Sequence, residues 1–367
     1  MRILHLVDRL TERGGAYRHL LGMIEWLSSR GHAQLLACGE MSAETTVACP
    51  GTVVQGLAAR VVEPVALDAV HGDFEPDVIH VHTVVNPAAL SWAAHRGAVM
   101  TVQDHRLFCP GRGKWTADGR VCGERMSREV CRACFEDERY FSEILGLTEE
   151  RLEAVREMAA VTVLSRYMRD ELVAVGVEGT RLHVIPPFAH GLDPGTEADG
   201  PPCVLFAGRL AESKGVLDAV AAWRGAATGL PLVFAGTGPL RTELEAEGFE
   251  VLGWLDRLGL SRAYKRAQAV LLPSRWQEPF GIVGLEALSL GVPVVAYDSG
   301  GVREWHPGDG LVPWGDVGAL AGALAEAVAR RAQPLEWPEV DTLMTRLMAV
   351  YGSSARMPAE QKIVAPS

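Results

Sequence analysis

The sequence predicts an α/β protein built from two doubly wound parallel-sheet domains, and three observations carry that expectation. The chain has 367 residues, more than a single hydrophobic core usually serves. Short, almost wholly apolar runs alternate with amphipathic helical stretches, as expected of parallel sheets covered on both faces. One central segment, Pro186–Pro202 (PPFAHGLDPGTEADGPP), is rich in Pro, Gly and acid and has no periodicity, which marks a linker.

Taken in order, the first half offers strands at Ile3–Val7, Gln34–Ala37, Val78–His82, Val99–Gln103, Val161–Leu164 and His183–Ile185. A helix is expected over Ala16–Ser29, where Leu20, Leu21, Ile24 and Leu27 recur at helical spacing. After the linker the alternation restarts, with strands at Val204–Ala207, Leu232–Ala235, Val270–Leu272 and Val294–Ala296. The helices between them include Val216–Trp223, Leu258–Arg266 and Gly284–Leu290, and a last helical pattern covers Val340–Tyr351. The domain reading is therefore 1–187, a linker 188–202, a second domain 203–340, a C-terminal helix 341–354 that could cross back to the first domain, and a tail 355–367. Two such sheets make a cleft between them the expected ligand site.

Composition narrows the class. Apolar residues make up 48% of the chain and charged residues 22%, ordinary for a globular protein. A net charge of −11 speaks against a general nucleic-acid binder. The opening MRILHLV is too short for a signal-peptide core, and no stretch reaches the roughly 18 apolar residues of a membrane span. A cytoplasmic protein is expected, with peripheral membrane association left open. Seven cysteines in a chain this long do not suggest a secreted disulfide scaffold.

Several motifs carry chemistry. Gly14-Gly15 lies between the first strand and the first helix, where glycine lets backbone approach a ligand and the helix start presents N–H groups to an anion. A plain tight turn is the alternative, since the full G-x-G-x-x-G is missing. Gly208-Arg209 and Lys214-Gly215 follow the first strand of the second domain, at the sheet edge that faces ligands. Two cations there can neutralise a departing diphosphate, or be solvated surface charges. Pro273–Glu286 (PSRWQEPFGIVGLE) passes from a strand end through a glycine turn into a helix, with Glu278 in the turn and Glu286 in the helix. Carboxylates suit sugar and ribose hydroxyls because their oxygens accept directional hydrogen bonds. The N–H groups at Phe280, Gly281, Ile282 and Val283 would open that helix toward an anion or a sugar.

The ordered set GR-x4-KG, G-x-G-P at Gly236–Pro239 (with Gly236 and Gly238), PS-x3-EPFG-x4-EA, G-x-PVVA and GG-x2-E resembles glycosyltransferase family 4 over about residues 203–315. The resemblance implies a retaining enzyme of the GT-B fold, two Rossmann-like domains facing across a cleft. It implies transfer of a hexose-type sugar from a UDP- or GDP-sugar to an acceptor it does not identify. Arg209 and Lys214 would bind the donor diphosphate, Glu286 the ribose and Glu278 the transferred sugar. Phe280–Val283, Gly14, Gly15, Gly208, Gly236 and Gly238 would contact or admit the donor, and no catalytic metal is expected. The family places a His at a first-domain strand end; in TVQDHRLFCP that catalytic role is assigned to His105 from a shifted register, with Gln103 as its replacement the alternative. Rival readings are a nucleotide-sugar epimerase or hydrolase, a nicotinamide oxidoreductase, and a non-catalytic nucleotide-sugar-binding module.

Four cysteines fall in the loop 105–140: Cys109, Cys122, Cys131 and Cys134, spaced C-x12-C-x8-C-x2-C. Four thiolates would make a closed, structural zinc site. Two disulfides, an iron–sulfur cluster or unligated thiols compete with it. The same loop carries Arg106, Arg112, Lys114, Arg120, Arg125, Arg128 and Arg132, diluted by Glu124, Glu129 and Glu136–Glu138, and reads as a mixed-charge surface.

Overall fold

The computed structural model describes residues 1–10, 14–42, 47–330 and 332–355. They form two compact units, one of residues 1–113, 123–186 and 339 onward, the other of residues 114–122 and 187–338.

In the first unit β1 (Arg2–Leu10), β2 (Ala33–Met41), β3 (Gly51–Val53), β4 (Val78–Val81), β5 (Val99–Val102), β6 (Ala160–Val163) and β7 (Leu182–Val184) form a seven-stranded sheet in the order β3-β2-β1-β4-β5-β6-β7. Every neighbouring pair in it is parallel. The central strands β4, β5 and β6 read VIHV, VMTV and AVTV and are buried at every position, as a sheet covered on both faces requires. Helices α1 (Gly15–Ser29), α2 (Leu67–Phe74), α3 (Pro87–Ala94), α4 (Arg128–Arg132), α5 (Glu138–Arg156) and α6 (Arg166–Ala174) connect the strands. Polar caps set several starts: Asn86 accepts from the Ala89 N–H, Asp137 from Tyr140 and Ser165 from Met168.

The two faces of this sheet differ in chemistry. Leu4, Leu6, Ile79, Val81 and Val102 join one apolar core. On the other face the parallel register sets His5 beside His80, and His82 follows two residues on. All three histidines are buried.

The second unit holds β8 (Cys203–Ala207), β9 (Leu232–Ala235), β10 (Glu250–Gly253), β11 (Ala267–Leu272), β12 (Val294–Tyr297) and β13 (Leu311–Val312), ordered β10-β9-β8-β11-β12-β13 and again parallel. Its helices are α7 (Val216–Ala226), α8 (Arg241–Ala246), α9 (Arg257–Arg266), α10 (Ile282–Ser289) and α11 (Val317–Ala327). The strand order reverses between β8 and β11, and in open α/β sheets ligands bind at the carboxyl ends beside that reversal. In the first unit the equivalent point lies between β1 and β4.

The last described helix is α12 (Val340–Ala355), which groups with the first unit rather than with the sheet that precedes it. Tyr351 on α12 is fully buried, its hydroxyl 2.6 Å from His80 Nδ1, and Trp26 donates to Asp341 at 2.6 Å. The segment read as a linker belongs to the second unit: the Asp193 N–H donates to Ser261 Oγ at 3.0 Å and Arg266 Nε to the Pro201 carbonyl at 2.6 Å. The expected tail lies outside the described residues beyond residue 355.

Candidate functional site

The second unit's site is assembled by glycines that let backbones touch. Gly215, in the left-handed region at φ 71°, sits so close to the strand-end loop that a Cβ there would come within 1.7 Å of the Pro273 oxygen. The N–H groups of Arg275 and Trp276 both donate to the Ser213 carbonyl at 3.0 Å. The loops after β8 and β11 are thereby locked together. Gly236 and Gly238 do the same between the loops after β9 and β8: their added Cβ atoms would meet the Gly208 oxygen at 1.8 Å and the Leu210 oxygen at 2.3 Å. Those glycines are thus required by the fold itself, whatever ligand they also admit.

The locked loops bring Lys214 to Glu278. Lys214 Nζ lies 2.7 Å from Glu278 Oε1 and 4.1 Å from the centroid of the Trp276 ring. Glu278 is 3% exposed, and Ser274 Oγ donates to the same carboxylate oxygen. Burial by itself would raise the Glu278 pKa. The Lys214 charge and hydrogen bonds from Lys214, Ser274 and Trp276 outweigh that and hold the carboxyl below its ordinary value. The Glu278 backbone is fixed as well, since its N–H donates to Ser299 Oγ at 3.2 Å and its carbonyl accepts from Gly301 at 2.8 Å. Arg209, on the β8 loop, is an exposed guanidinium with no partner among the described residues.

Glu286 is held separately, on α10. That helix begins after Gly281 at φ 88°, which turns the chain into its first turn. A Cβ on Gly284 would meet the Trp305 ring at 2.0 Å, and Trp305 Nε1 donates to the Phe280 carbonyl at 2.6 Å, so the start of α10 rests directly on that indole. The first-turn N–H groups around Ile282 and Val283 have no intrahelical acceptor to use. Glu286 is 2% exposed and accepts from Arg257 Nη1 at 2.8 Å and from Tyr264 at 3.0 Å. Arg257 Nε and Nη2 are buried without a partner among the described residues.

Sequence reasoning missed Arg257, which lies 29 residues from its carboxylate and in no motif. It also gave no role to Trp276, although its place inside the Pro273–Glu286 segment was the available signal.

In the first unit Gly14 caps α1 at φ 117°, with Gly15 the first helical residue. His105 is buried, with Nε2 3.2 Å from the Tyr167 hydroxyl and its ring edge-on to Phe108. Gln103 follows β5 directly. Both polar atoms of its amide are buried without a partner among the described residues, beside a small cavity also lined by His82, Arg106 and Arg151.

Among the described residues none of the seven cysteines is in a disulfide, and Cys109, Cys122, Cys131 and Cys134 are half-buried. An all-thiol set suits zinc chemically. The described residues whose ligand atoms gather within 4.8 Å in a group of three are instead His5, His80 and His82. Those rings are occupied with one another and with neighbours: His5 Nδ1 lies 3.1 Å from His82 Nε2, His5 Nε2 3.0 Å from Gln34, and His80 Nε2 2.7 Å from Thr101. They form a hydrogen-bonded core cluster.

The basic residues of the cysteine loop find acids nearby: Arg120 pairs with Asp118 at 2.6 Å, and Arg128 and Arg132 pair with Glu138.

Comparison with known proteins bears on family and fold. Residues 201–330 match the family described as Glycosyl transferases group 1, and residues 13–190 match Glycosyltransferase Family 4. The chain is 31% identical over 322 residues to the glycogen synthase of Mycobacterium tuberculosis, covering 78% of this chain and 71% of that protein. It is 32% identical over 176 residues to the alpha-D-kanosaminyltransferase of Streptomyces kanamyceticus, 41% of this chain and 45% of that one. Among solved structures, Anabaena HepE in complex with UDP and glucose superposes with a TM-score of 0.64 at 21% identity, over 99% of this chain and 95% of that one. The sucrose-phosphate synthase of Thermosynechococcus elongatus gives 0.65 at 18% identity, over 96% and 98%. No helix among the described residues is long and apolar enough to cross a membrane.

Proposed function

Because the chain belongs to the family 4, group 1 glycosyltransferases of GT-B type, we propose that it moves a hexose-type sugar from a UDP- or GDP-sugar to an acceptor with retention of anomeric configuration. The observation that carries the reading is the Lys214–Glu278 pair at the carboxyl ends of neighbouring strands, with Glu286 fixed on the helix that follows. The carboxylates are buried and the cation half-buried, all in hydrogen-bonded positions before any ligand arrives, so little reorganisation is left to the reaction.

In this reading Glu278, kept ionised by Lys214, accepts from hydroxyls of the transferred sugar, and Glu286 accepts from the ribose. Arg209, which has no partner among the described residues, and Lys214 meet the diphosphate. The bond from the anomeric carbon to the diphosphate oxygen breaks and that oxygen gains charge. The two cations stabilise it more in the transition state than in the ground state. The acceptor oxygen bonds to the same face of the sugar, and its proton passes to the departing phosphate oxygen. For the first unit, Gln103, whose amide has no partner among the described residues, is proposed for the family His position in place of the packed His105. Structural zinc at Cys109, Cys122, Cys131 and Cys134 and a cytoplasmic location remain part of the proposal; metal analysis of the purified chain and of a C131S/C134S variant tests the zinc.

The decisive experiment is a thermal-shift screen over UDP-, GDP- and ADP-sugars. A ligand at 100 times its Kd stabilises by about 2.7 kcal/mol. Arg209→Ala should then lower turnover on the order of 10²–10³-fold, as loss of one transition-state donor does. Near-normal turnover in folded Arg209→Ala and Lys214→Ala variants would sink the mechanism. Release of free or epimerised sugar from donor alone, at the full rate, would point to hydrolysis or epimerisation instead.

A further inference from the structure

The first unit holds a cavity of about 270 Å³ whose walls include Arg9, Arg60, Arg106 and Arg151 but a single carboxylate, Asp8. It opens at the carboxyl end of β1, next to the point where strand order reverses. The charges in it do not cancel. Arg9 pairs with Glu40 at 3.0 Å, and Arg106 with Asp104 at 2.6 Å and with Asp8 at 3.8 Å. Asp8 is already engaged by the Thr83 hydroxyl at 2.6 Å and the Arg9 N–H at 2.8 Å. Arg60 and Arg151 have no acidic partner within ion-pair distance among the described residues.

Arg151 is the telling residue. It is 3% exposed, and among the described residues its one hydrogen bond runs from Nε to the Val85 carbonyl at 2.7 Å, which leaves both terminal nitrogens without an acceptor among them. A buried, unpaired guanidinium is costly unless something anionic completes it. Burial, followed by the charges of Arg106 and Arg60, pushes its pKa down to about 10, so it stays protonated at neutral pH and under like-charge strain. Guanidinium forks suit oxyanions geometrically.

We infer that this cavity binds the phosphate of the acceptor, and that the acceptor is a small molecule carrying a phosphate monoester. Two unpaired arginines match the charge of about −1.5 to −2 that a monoester carries near neutral pH, and exceed that of a carboxylate. Asp8 Oδ1 is taken by Thr83 and the Arg9 N–H, and its Oδ2 faces Arg106 at 3.8 Å. The neighbouring Gln103 amide supplies a donor and an acceptor for an adjacent hydroxyl. The inference rests on the glycosyltransferase reading and names the acceptor's class within it.

The test is calorimetric titration of the full chain, first with UDP and GDP and then, with the one that binds saturating, with inorganic phosphate, acetate and neutral myo-inositol. Phosphate is expected to bind and the other two not. Arg60→Ala and Arg151→Gln should each weaken phosphate binding at least tenfold while leaving affinity for that nucleotide within twofold. Arg60 is exposed and unpaired, so its variant should fold even where the Arg151 variant does not. Phosphate binding that is absent, unchanged in Arg60→Ala, or weaker than acetate binding overturns the inference, whereas failure of both UDP and GDP to bind counts against the proposed donor alone. With a competent donor, sugar and polyol phosphates should be consumed and their dephosphorylated forms not; efficient use of the neutral forms also overturns it.

Discussion

Gly215 and Pro273 stand so close that even a single methyl group cannot be placed between them: a Cβ on Gly215 would lie 1.7 Å from the Pro273 carbonyl oxygen. This contact fixes the spacing of the two loops that carry Lys214 and Glu278. Gly215→Ala must both move that backbone and place alanine at φ 71°, in the left-handed region. Together these should cost at least about 2 kcal/mol, read as a lower denaturant midpoint at unchanged slope. Donor binding should weaken more than stability does, because the Lys214–Glu278 pair is displaced. A fully stable variant with normal donor affinity would show that the loops are not coupled through this contact.

Lys214 also controls the ionisation of Glu278. Burial favours the neutral acid, and only the Lys214 charge with the hydrogen bonds holds the pKa below its ordinary value. A carboxyl depressed in the fold contributes stability that is present above its unfolded pKa and lost as pH falls through the folded one. In Lys214→Met burial prevails and the Glu278 pKa moves up, so the folded chain takes up that proton more readily than the unfolded one: the variant is less stable than the parent near neutral pH and loses less stability on acidification. Adding Glu278→Gln to Lys214→Met should recover stability near neutral pH and remove the Glu278 contribution to the slope of stability against pH. Acid-unfolding curves of the three proteins decide the matter, and coincident curves would show that Lys214 does not hold the charge.

Arg257 should behave as a positioning residue for Glu286. Its 2.8 Å bond fixes one carboxylate oxygen while Tyr264 fixes the other. A hydrogen bond between charged groups is worth about 1.5–3 kcal/mol, so Arg257→Met should raise donor KM by roughly 10- to 100-fold with kcat nearly unchanged. The double variant with Glu286→Gln should lose little beyond either single one. A purely structural role would instead lower stability and leave KM intact.

What could be read from the sequence was what local patterns encode. The runs VIHV, VMTV and LVFA are buried on both faces, so their apolar character announces them. Strands β3, β10 and β13 were missed because they are edge strands of two to four residues with no such run. Arg209, Lys214, Glu278 and Glu286 were visible because each lies within a loop motif of fixed spacing. Arg257, Arg60 and Arg151 were not, because only the folded chain gathers them: Arg257 meets Glu286 across 29 residues, and Arg151 meets Val85 across 66. The cysteine loop was legible as a mixed-charge surface. Its many basic residues are paired locally, as at Arg120–Asp118, whereas the unpaired charge comes from elsewhere.

The histidine cluster gives the first unit a pH dependence of its own. Burial lowers the pKa of His5 to about 4, with the Gln34 hydrogen bond opposing, and pushes those of His80 and His82 well below 6.5, reinforced by neighbouring histidines. The unfolded chain therefore binds more protons than the folded one below about pH 6.5, and stability falls as pH falls through that range. Between pH 7.5 and 5, His5 alone accounts for a loss of about 2 kcal/mol. The loss comes before most carboxylates titrate, so it is separable from ordinary acid denaturation. His5→Asn, which keeps a polar group near Gln34, should flatten the slope of stability against pH by about one proton in this window, whatever its effect at pH 7.5. Because His80 also holds Tyr351 of α12 at 2.6 Å, hydrogen exchange in α12 should accelerate on acidification in the parent protein. A slope unchanged by His5→Asn would mean that this histidine is not held neutral by the fold.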